Sequence, residues 1–315
     1  MTALICGSFA YDSIMVFEDR FKNHILPDKI HMLNVAFFVP TMRREFGGCA
    51  GNIAYNLRLL GGDGLPMGTV GSDFDSYADW MKKTDVDSRF VKQVDGHYTA
   101  QAYITTDLDD NQITAFHPGA MSEAHVQQVP TDGSISLGIV SPDGRDAMIQ
   151  HAEQFAAAGI PFIFDPGQGL PMFEGDDLKR FIEQASYVTV NDYEFSLLCE
   201  RTGLDAAQIA AQVEALIVTK GGEGSSIFAN GEELAIPAAP VAQLKDPTGC
   251  GDAFRAGLLK GLQQGWSWAQ TGRVASLMGA IKIEQAGTQN HGFTMAEFAE
   301  RYQQAFAESS DFLLS

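Results

Sequence analysis

Asp246-Pro247-Thr248-Gly249-Cys250-Gly251-Asp252-Ala253-Phe254-Arg255-Ala256-Gly257 is a glycine-punctuated turn that runs straight into an apolar helical pattern. Phe254, Leu258 and Leu262 recur every fourth residue and so share one face, and Gly265 suits a C-terminal cap. A helix therefore begins close to Gly251. Its first N–H groups have no partners within the helix, and the glycines let a ligand approach the backbone, so the turn is an anion site. Asp252 sits inside it, where its charge opposes that of a phosphate. As a local device, this carboxylate complements the helix dipole, worth about 0.3–1 kcal/mol, while Thr248 and Asp246 shape the turn. As a chemical device, it takes a proton from a hydroxyl while the backbone donors of Gly249, Cys250 and Gly251 hold charge on a phosphoryl group. The dipole lowers the acid's basicity. In a loose transition state the proton moves late, and an Asp that orients the hydroxyl suffices.

The chain has 315 residues, within the range of one α/β unit carrying an insertion. Twenty-one basic against 40 acidic residues give a net charge of −19, which disfavours a general grip on nucleic acid. An anionic substrate must then be attracted locally. Cys6, Cys49, Cys199 and Cys250 are scattered, which suggests neither a zinc site nor a disulfide framework and fits reduced thiols in a cytoplasmic protein. Met1 to Cys6 reads directly as a strand, without the basic segment and apolar core of a signal peptide, and no apolar run approaches the roughly 18–20 residues that span a bilayer.

Ala3 to Gly7 is a short strand, and Asp12 is expected in a loop just beyond its C-terminal end, where open α/β sheets place their ligands. Ser13 to Phe46 and His97 to His117 depart from the main pattern. The second alternates through Ala100, Ala102, Ile104, Ile113 and Ala115, as strands with one covered face do. Between them, Phe46-Gly47-Gly48-Cys49-Ala50-Gly51-Asn52-Ile53-Ala54 is a small-residue loop opening a helix. From Ile135 onward strands and helices alternate, the mark of a parallel sheet with crossover helices. Asn191-x-x-Glu194 opens one of these helices with the pattern of a capping box. Thr219 ends a strand that meets the glycine loop Lys220-Gly221-Gly222-Glu223-Gly224. Neither a Walker loop nor a dinucleotide fingerprint is present.

Asp246 to Gly257, Gly47 to Asn52 and Asn191 to Glu194 occur in one fixed order, and together they resemble the ribokinase-like family of carbohydrate and nucleoside kinases, within it most closely the bacterial-type adenosine kinases. That resemblance implies an α/β fold with a central, mostly parallel sheet flanked by helices and a small β-sheet lid, the core being 1–12, 47–96 and 118–315 and the lid 13–46 and 97–117. It implies ATP-dependent phosphorylation of the adenosine 5′-hydroxyl to AMP, as in purine salvage, with Asp252 as general base and the amides of Gly249, Cys250 and Gly251 as the anion hole. Asp12, Ser8, Gly47, Gly48 and Asn52 would take the ribose, and Phe116 and Met121 the base. ATP would lie against Asn191, Thr219, Lys220, Gly221, Gly222, Gly224, Thr248, Gly249 and Gly251. Mg²⁺ would be held through water by Glu194, and K⁺ near Asp246 and the returning segment Glu284 to Thr288. A homodimer through the lid is also implied. Two alternatives stay open: a ribose or fructose kinase of the same family, and a catalytically silent nucleoside-binding regulatory protein.

Overall fold

The computed structural model describes residues 1–25, 34–109 and 111–314; within the lid expected over 13–46, residues 26–33 lie outside the described residues. In chain order the described residues form β1 (Ala3–Cys6), β2 (Ala10–Val16), β3 (Thr41–Gly47), α1 (Cys49–Leu59), β4 (Gly64–Val70), α2 (Asp75–Lys83), β5 (Phe90–Gln93), β6 (Ala100–Thr106) and β7 (Gln112–His117). Then come β8 (Leu137–Val140), α3 (Arg145–Ala158), β9 (Phe162–Phe164), α4 (Gly175–Gln184), β10 (Tyr187–Asn191), α5 (Asp192–Thr202), α6 (Ala206–Ala210) and β11 (Ala215–Thr219). The last elements are β12 (Ser225–Ala229), β13 (Glu232–Ile236), α7 (Cys250–Gln264), α8 (Trp268–Ile283) and α9 (Met295–Phe306).

The main sheet has nine strands in the order β13-β12-β11-β10-β9-β8-β1-β4-β5. From β11 to β5 the neighbours run parallel; β12 runs against them, and β13, antiparallel to β12, runs with them again. Such a sheet is covered on both faces. On one face Ile5, Ile139 and Ile217 pack with Ile53 and Leu57 of α1 and Phe254 and Leu258 of α7. On the other, Leu4, Val140 and Val188 pack with Met148 and Phe155 of α3 and Phe181 of α4. The two-residue alternation of the strands thus feeds two separate cores. No helix among the described residues is long and apolar enough to cross a membrane.

A second sheet of four strands has the order β3-β2-β6-β7. Asp12 belongs to β2 in this sheet, which corrects the expectation that it sits in a loop. Ala10 to Ile14 shows no alternation, and its partners β3 and β6 arrive from about 30 and 90 residues away, so the pairing is not visible locally. Val16, Met42, Tyr103, Ile113 and Phe116 leave apolar surface exposed on this sheet.

The position of α7 is fixed by close helix contact. A Cβ on Gly257 would stand 2.4 Å from Ala275 Cα in α8, closer than atoms pack. Gly257→Ala is therefore expected to cost about 1–3 kcal/mol by overpacking and to lower the thermal midpoint by several degrees. An unchanged midpoint would contradict this contact.

Candidate active site

The parallel strands end side by side, and residues just past them face one cleft of about 1390 Å³: Ser8 after β1, Pro142 and Asp143 after β8, Asp165 after β9, Asn191 and Glu194 at β10, and Thr219 at β11. This is the edge at which open α/β sheets collect ligands. The four-stranded sheet supplies Asp12, Ala102 and Phe116. In register Asp12 faces Ala102, and Ala102 faces Phe116, so the three form one row across β2, β6 and β7. With strands about 4.8 Å apart, roughly 10 Å separates the carboxylate from the ring along that row.

The start of α7 completes the cleft. Gly249 is its N-cap, left-handed at φ 78°, and Asp252 lies in its first turn. The Cys250 amide is engaged with Pro247 O at 3.2 Å, whereas the amides of Gly249, Gly251 and Asp252 donate no hydrogen bond among the described residues. Open donors and the dipole meet there. Asp252 Oδ2 accepts from Asn52 Nδ2 at 2.8 Å. Asn52 is held in that orientation because its Oδ1 accepts from Gln289 Nε2 at 3.0 Å, and Gln289 Oε1 in turn accepts from Trp80 Nε1 at 2.8 Å. Burial pushes Asp252 up to about 6, and the charge of Asp165 adds to this while Asn52 and Arg255 oppose it. The dipole argument alone put this acid too low. Burial among other carboxylates outweighs it.

Arg255, one turn further along α7, is buried and closes a fork on Asp165, with Nε to Oδ2 at 3.0 Å and Nη2 to Oδ1 at 2.9 Å. Its Nη2 also stands 4.0 Å from Glu194 Oε2. Glu194 completes the expected capping box, its Oε2 accepting from Asn191 N at 2.8 Å while Asn191 Oδ1 accepts from Glu194 N at 2.7 Å. Burial raises Glu194, and Asp165 adds to that. Its Oε1 accepts no hydrogen bond among the described residues, which suits a water bound to a hard cation that keeps part of its hydration.

Ser8, Gly48, Met121, Gly221, Gly222, Gly224, Thr248 and Cys250 also line the cleft, as expected. Ser8 Oγ accepts from Cys49 N at 3.2 Å. Three of the expected residues stand back from it. Gly47 lies beneath Asp12, where a Cβ would come 2.6 Å from Oδ2. Lys220 turns its ammonium to Ser226 Oγ at 2.7 Å. Asp246 has its carboxylate taken by the amides of Thr248 and Gly287, each at 2.9 Å. Around Asp246 a monovalent metal ion does not fit: the carbonyls of Asp246 and Gln285 accept from the buried ammonium of Lys282 at 2.7 and 3.1 Å. Burial also keeps the thiols of Cys49 and Cys250 protonated, Cys250 rising to about 11, which makes both poor nucleophiles.

Sequence reasoning missed Asp165, Arg255, Gln289, Lys282 and Asp143. Only Asp165, in Asp165-Pro166-Gly167 at the end of an apolar run, carried a local signal. Asp143 is 2% exposed, and its Oδ2 has no hydrogen-bond partner.

The pattern of the pfkB family of carbohydrate kinases matches residues 13–294. A nucleoside kinase of Methanocaldococcus jannaschii is 30% identical over 271 residues, which span 85% of this chain and 89% of that relative. The structure of Burkholderia thailandensis nucleoside kinase in complex with inosine is 52% identical, with a TM-score of 0.89 over 98% of this chain and 99% of that one. The Methanocaldococcus jannaschii nucleoside kinase structure, described as an archaeal member of the ribokinase family, has a TM-score of 0.88 at 27% identity, covering 96% and 99%.

Burial pushes Asp143 up to about 8. The folded chain then holds a proton that the unfolded chain releases from about pH 4 upward. Stability should fall as pH rises from about 4 to about 8. In Asp143→Asn the difference between thermal midpoints at pH 5 and pH 8 is expected to shrink; an undiminished difference would contradict a buried neutral acid.

Proposed function

The chain belongs to the pfkB family of carbohydrate kinases, and on that footing we propose that it transfers the γ-phosphoryl group of ATP to the 5′-hydroxyl of a purine nucleoside, adenosine above all, to give AMP. The observation that carries this reading is the meeting of Asp252 and the open amides of α7 in the same cleft as Asp12 and Phe116. Past Asp12 the cleft continues over Ala102, Phe116 and Met121, an apolar surface that a bare sugar leaves wet and a flat base covers. The inosine bound by the Burkholderia thailandensis protein supports the same class of acceptor.

In this reading Asp12 accepts hydrogen bonds from two ribose hydroxyls, which a carboxylate can do when ionised. One Nδ2 hydrogen of Asn52 fixes Asp252, and the other is left for the sugar. Asp252 takes the proton of the 5′-hydroxyl. At about 6 it is a stronger base than an ordinary carboxylate and is still ionised at neutral pH. The amides of Gly249, Gly251 and Asp252 hold the charge of the transferring group, and at the far end Asn191, Thr219 and the Gly221 to Gly224 loop flank the nucleotide. Mg²⁺, held through water by Glu194, would neutralise phosphate charge.

ADP release measured with Mg²⁺-ATP across adenosine, inosine, guanosine, ribose and fructose tests the acceptor. Turnover is expected with the purine nucleosides, adenosine fastest. Turnover of ribose or fructose with none of any nucleoside would overturn the assignment, and binding without turnover would favour a silent nucleoside-binding protein.

Asp12 and Asp252 both stand at about 6, Asp12 through burial and the charges of Asp246 and Glu45, and both have to be ionised. The logarithm of kcat/KM is therefore expected to fall below pH 6 with a slope approaching two. Asp252→Asn should lower kcat by about 10²–10⁴ with KM nearly unchanged and leave a slope of one. A limb near pH 4, or near-normal turnover of the variant, removes Asp252 from the base role.

A further inference from the structure

Lys282 lies in the last turn of α8 and is fully buried. Its Nζ donates to Asp246 O at 2.7 Å and to Gln285 O at 3.1 Å, and so ties the loop before the anion hole to the segment that returns past it. The same two segments are joined again by Gly287 N donating to Asp246 Oδ2 at 2.9 Å and by Asp246 N donating to Ile283 O at 3.1 Å. A positive charge is favoured there, because the carbonyls at the end of α8 carry the negative pole of its dipole and Asp246 lies beside it. Burial lowers the Lys282 pKa, which the charge of Asp246 offsets only in part, and Arg43, 3.6 Å from Asp246 Oδ2, lowers it further.

Two converging backbone carbonyls beside a carboxylate make a cradle for a small monovalent cation, and an ammonium is close to K⁺ in size and charge. Here that cation arrives on a side chain. We propose that the Lys282 ammonium is a tethered monovalent cation, a positioning group that sets the Asp246 to Gly251 loop and makes added K⁺ dispensable. This rests on the reading of Asp252 and its neighbouring amides as the phosphoryl-transfer site, and it goes beyond it, because no acceptor enters the argument. The loop carries its own constraint: Gly249 holds φ 78° with Thr288 packed against it, so it adopts one shape only while both segments are held together. Without the ammonium, the carbonyl of Gln285 loses its donor and that of Asp246 keeps only the long contact from Cys250 Sγ at 3.9 Å, and the amides of Gly249 and Gly251 lose their aim.

The test compares wild type and Lys282→Met in KCl, NH₄Cl and tetramethylammonium chloride at equal ionic strength, with two readouts: turnover of Mg²⁺-ATP and the thermal midpoint. The wild-type rate is expected to differ by less than threefold among the salts, and its midpoint to stay the same. For Lys282→Met, kcat in tetramethylammonium chloride should fall by about 10²-fold, the order of loss for a small misplacement of catalytic groups. KCl or NH₄Cl should restore at least a tenth of the wild-type rate and raise the midpoint. Stimulation of the wild type by K⁺ of threefold or more overturns the proposal. So does a folded Lys282→Met that neither ion rescues, or one that is fully active without them. If the variant does not fold, the wild-type salt series decides. If no nucleoside is turned over, the acceptor assignment fails while the midpoints still report on the cation.

Discussion

Arg255 and Asp165 make a buried, two-pronged ion pair between the first turns of α7 and the end of β9, 90 residues apart in the chain. Such a pair adds little net stability, because desolvation offsets the attraction, but breaking it by removing one partner typically costs about 3–5 kcal/mol. Its consequence is positional. With the guanidinium held on Asp165, α7 cannot rotate about its axis, and Asp252, one turn earlier, stays over the cleft beside Asn52. Gly257 against Ala275 sets the depth of the helix, and the fork sets its angle.

The same pair sets the electrostatics. One guanidinium stands among the carboxylates of Asp165, Glu194 and Asp252, so it cannot satisfy all three, and burial, with the charge of Asp165 adding to it, raises the two outside the fork. Asp12 and Asp143 are raised as well, chiefly by burial. The cleft therefore holds several acids away from their ordinary values in a chain whose net charge is −19. Against that background a polyanionic nucleotide can be attracted only locally, and the open backbone donors at the start of α7 are the groups suited to it. Clusters of this kind occur where binding and proton transfer are needed, since raised acids cost stability that structure alone gives no reason to spend.

Much of this was legible in the sequence because it is local. The glycine turn and four-residue apolar period of Asp246 to Leu262 place a helix whose observed start, Cys250, is one residue from expectation. Asn191-x-x-Glu194 is the capping box it reads as, and Thr219 ends a strand before the glycine loop, as its position implies. What stayed hidden depends on contacts distant along the chain. Asp12 becomes a strand residue only when β3 and β6 pair with its neighbours, Arg255 finds Asp165 from 90 residues away, and Gln289 orients Asn52 from 237 residues away. Lys282 reads as one more apolar-helix lysine until its ammonium is seen between two carbonyls. Lys220, in a glycine-rich loop, was expected to face the nucleotide, but the hairpin that follows offers Ser226 and Glu233, and the side chain turns there instead.

A crystal structure with adenosine, Mg²⁺ and a non-hydrolysable ATP analogue measures the central arrangement most directly. The 5′-oxygen is expected within about 2.6–3.2 Å of an Asp252 carboxylate oxygen, with γ-phosphate oxygens on the amides of Gly249 and Gly251. A 5′-oxygen beyond hydrogen-bond range of Asp252, with the γ-phosphate away from the start of α7, contradicts it.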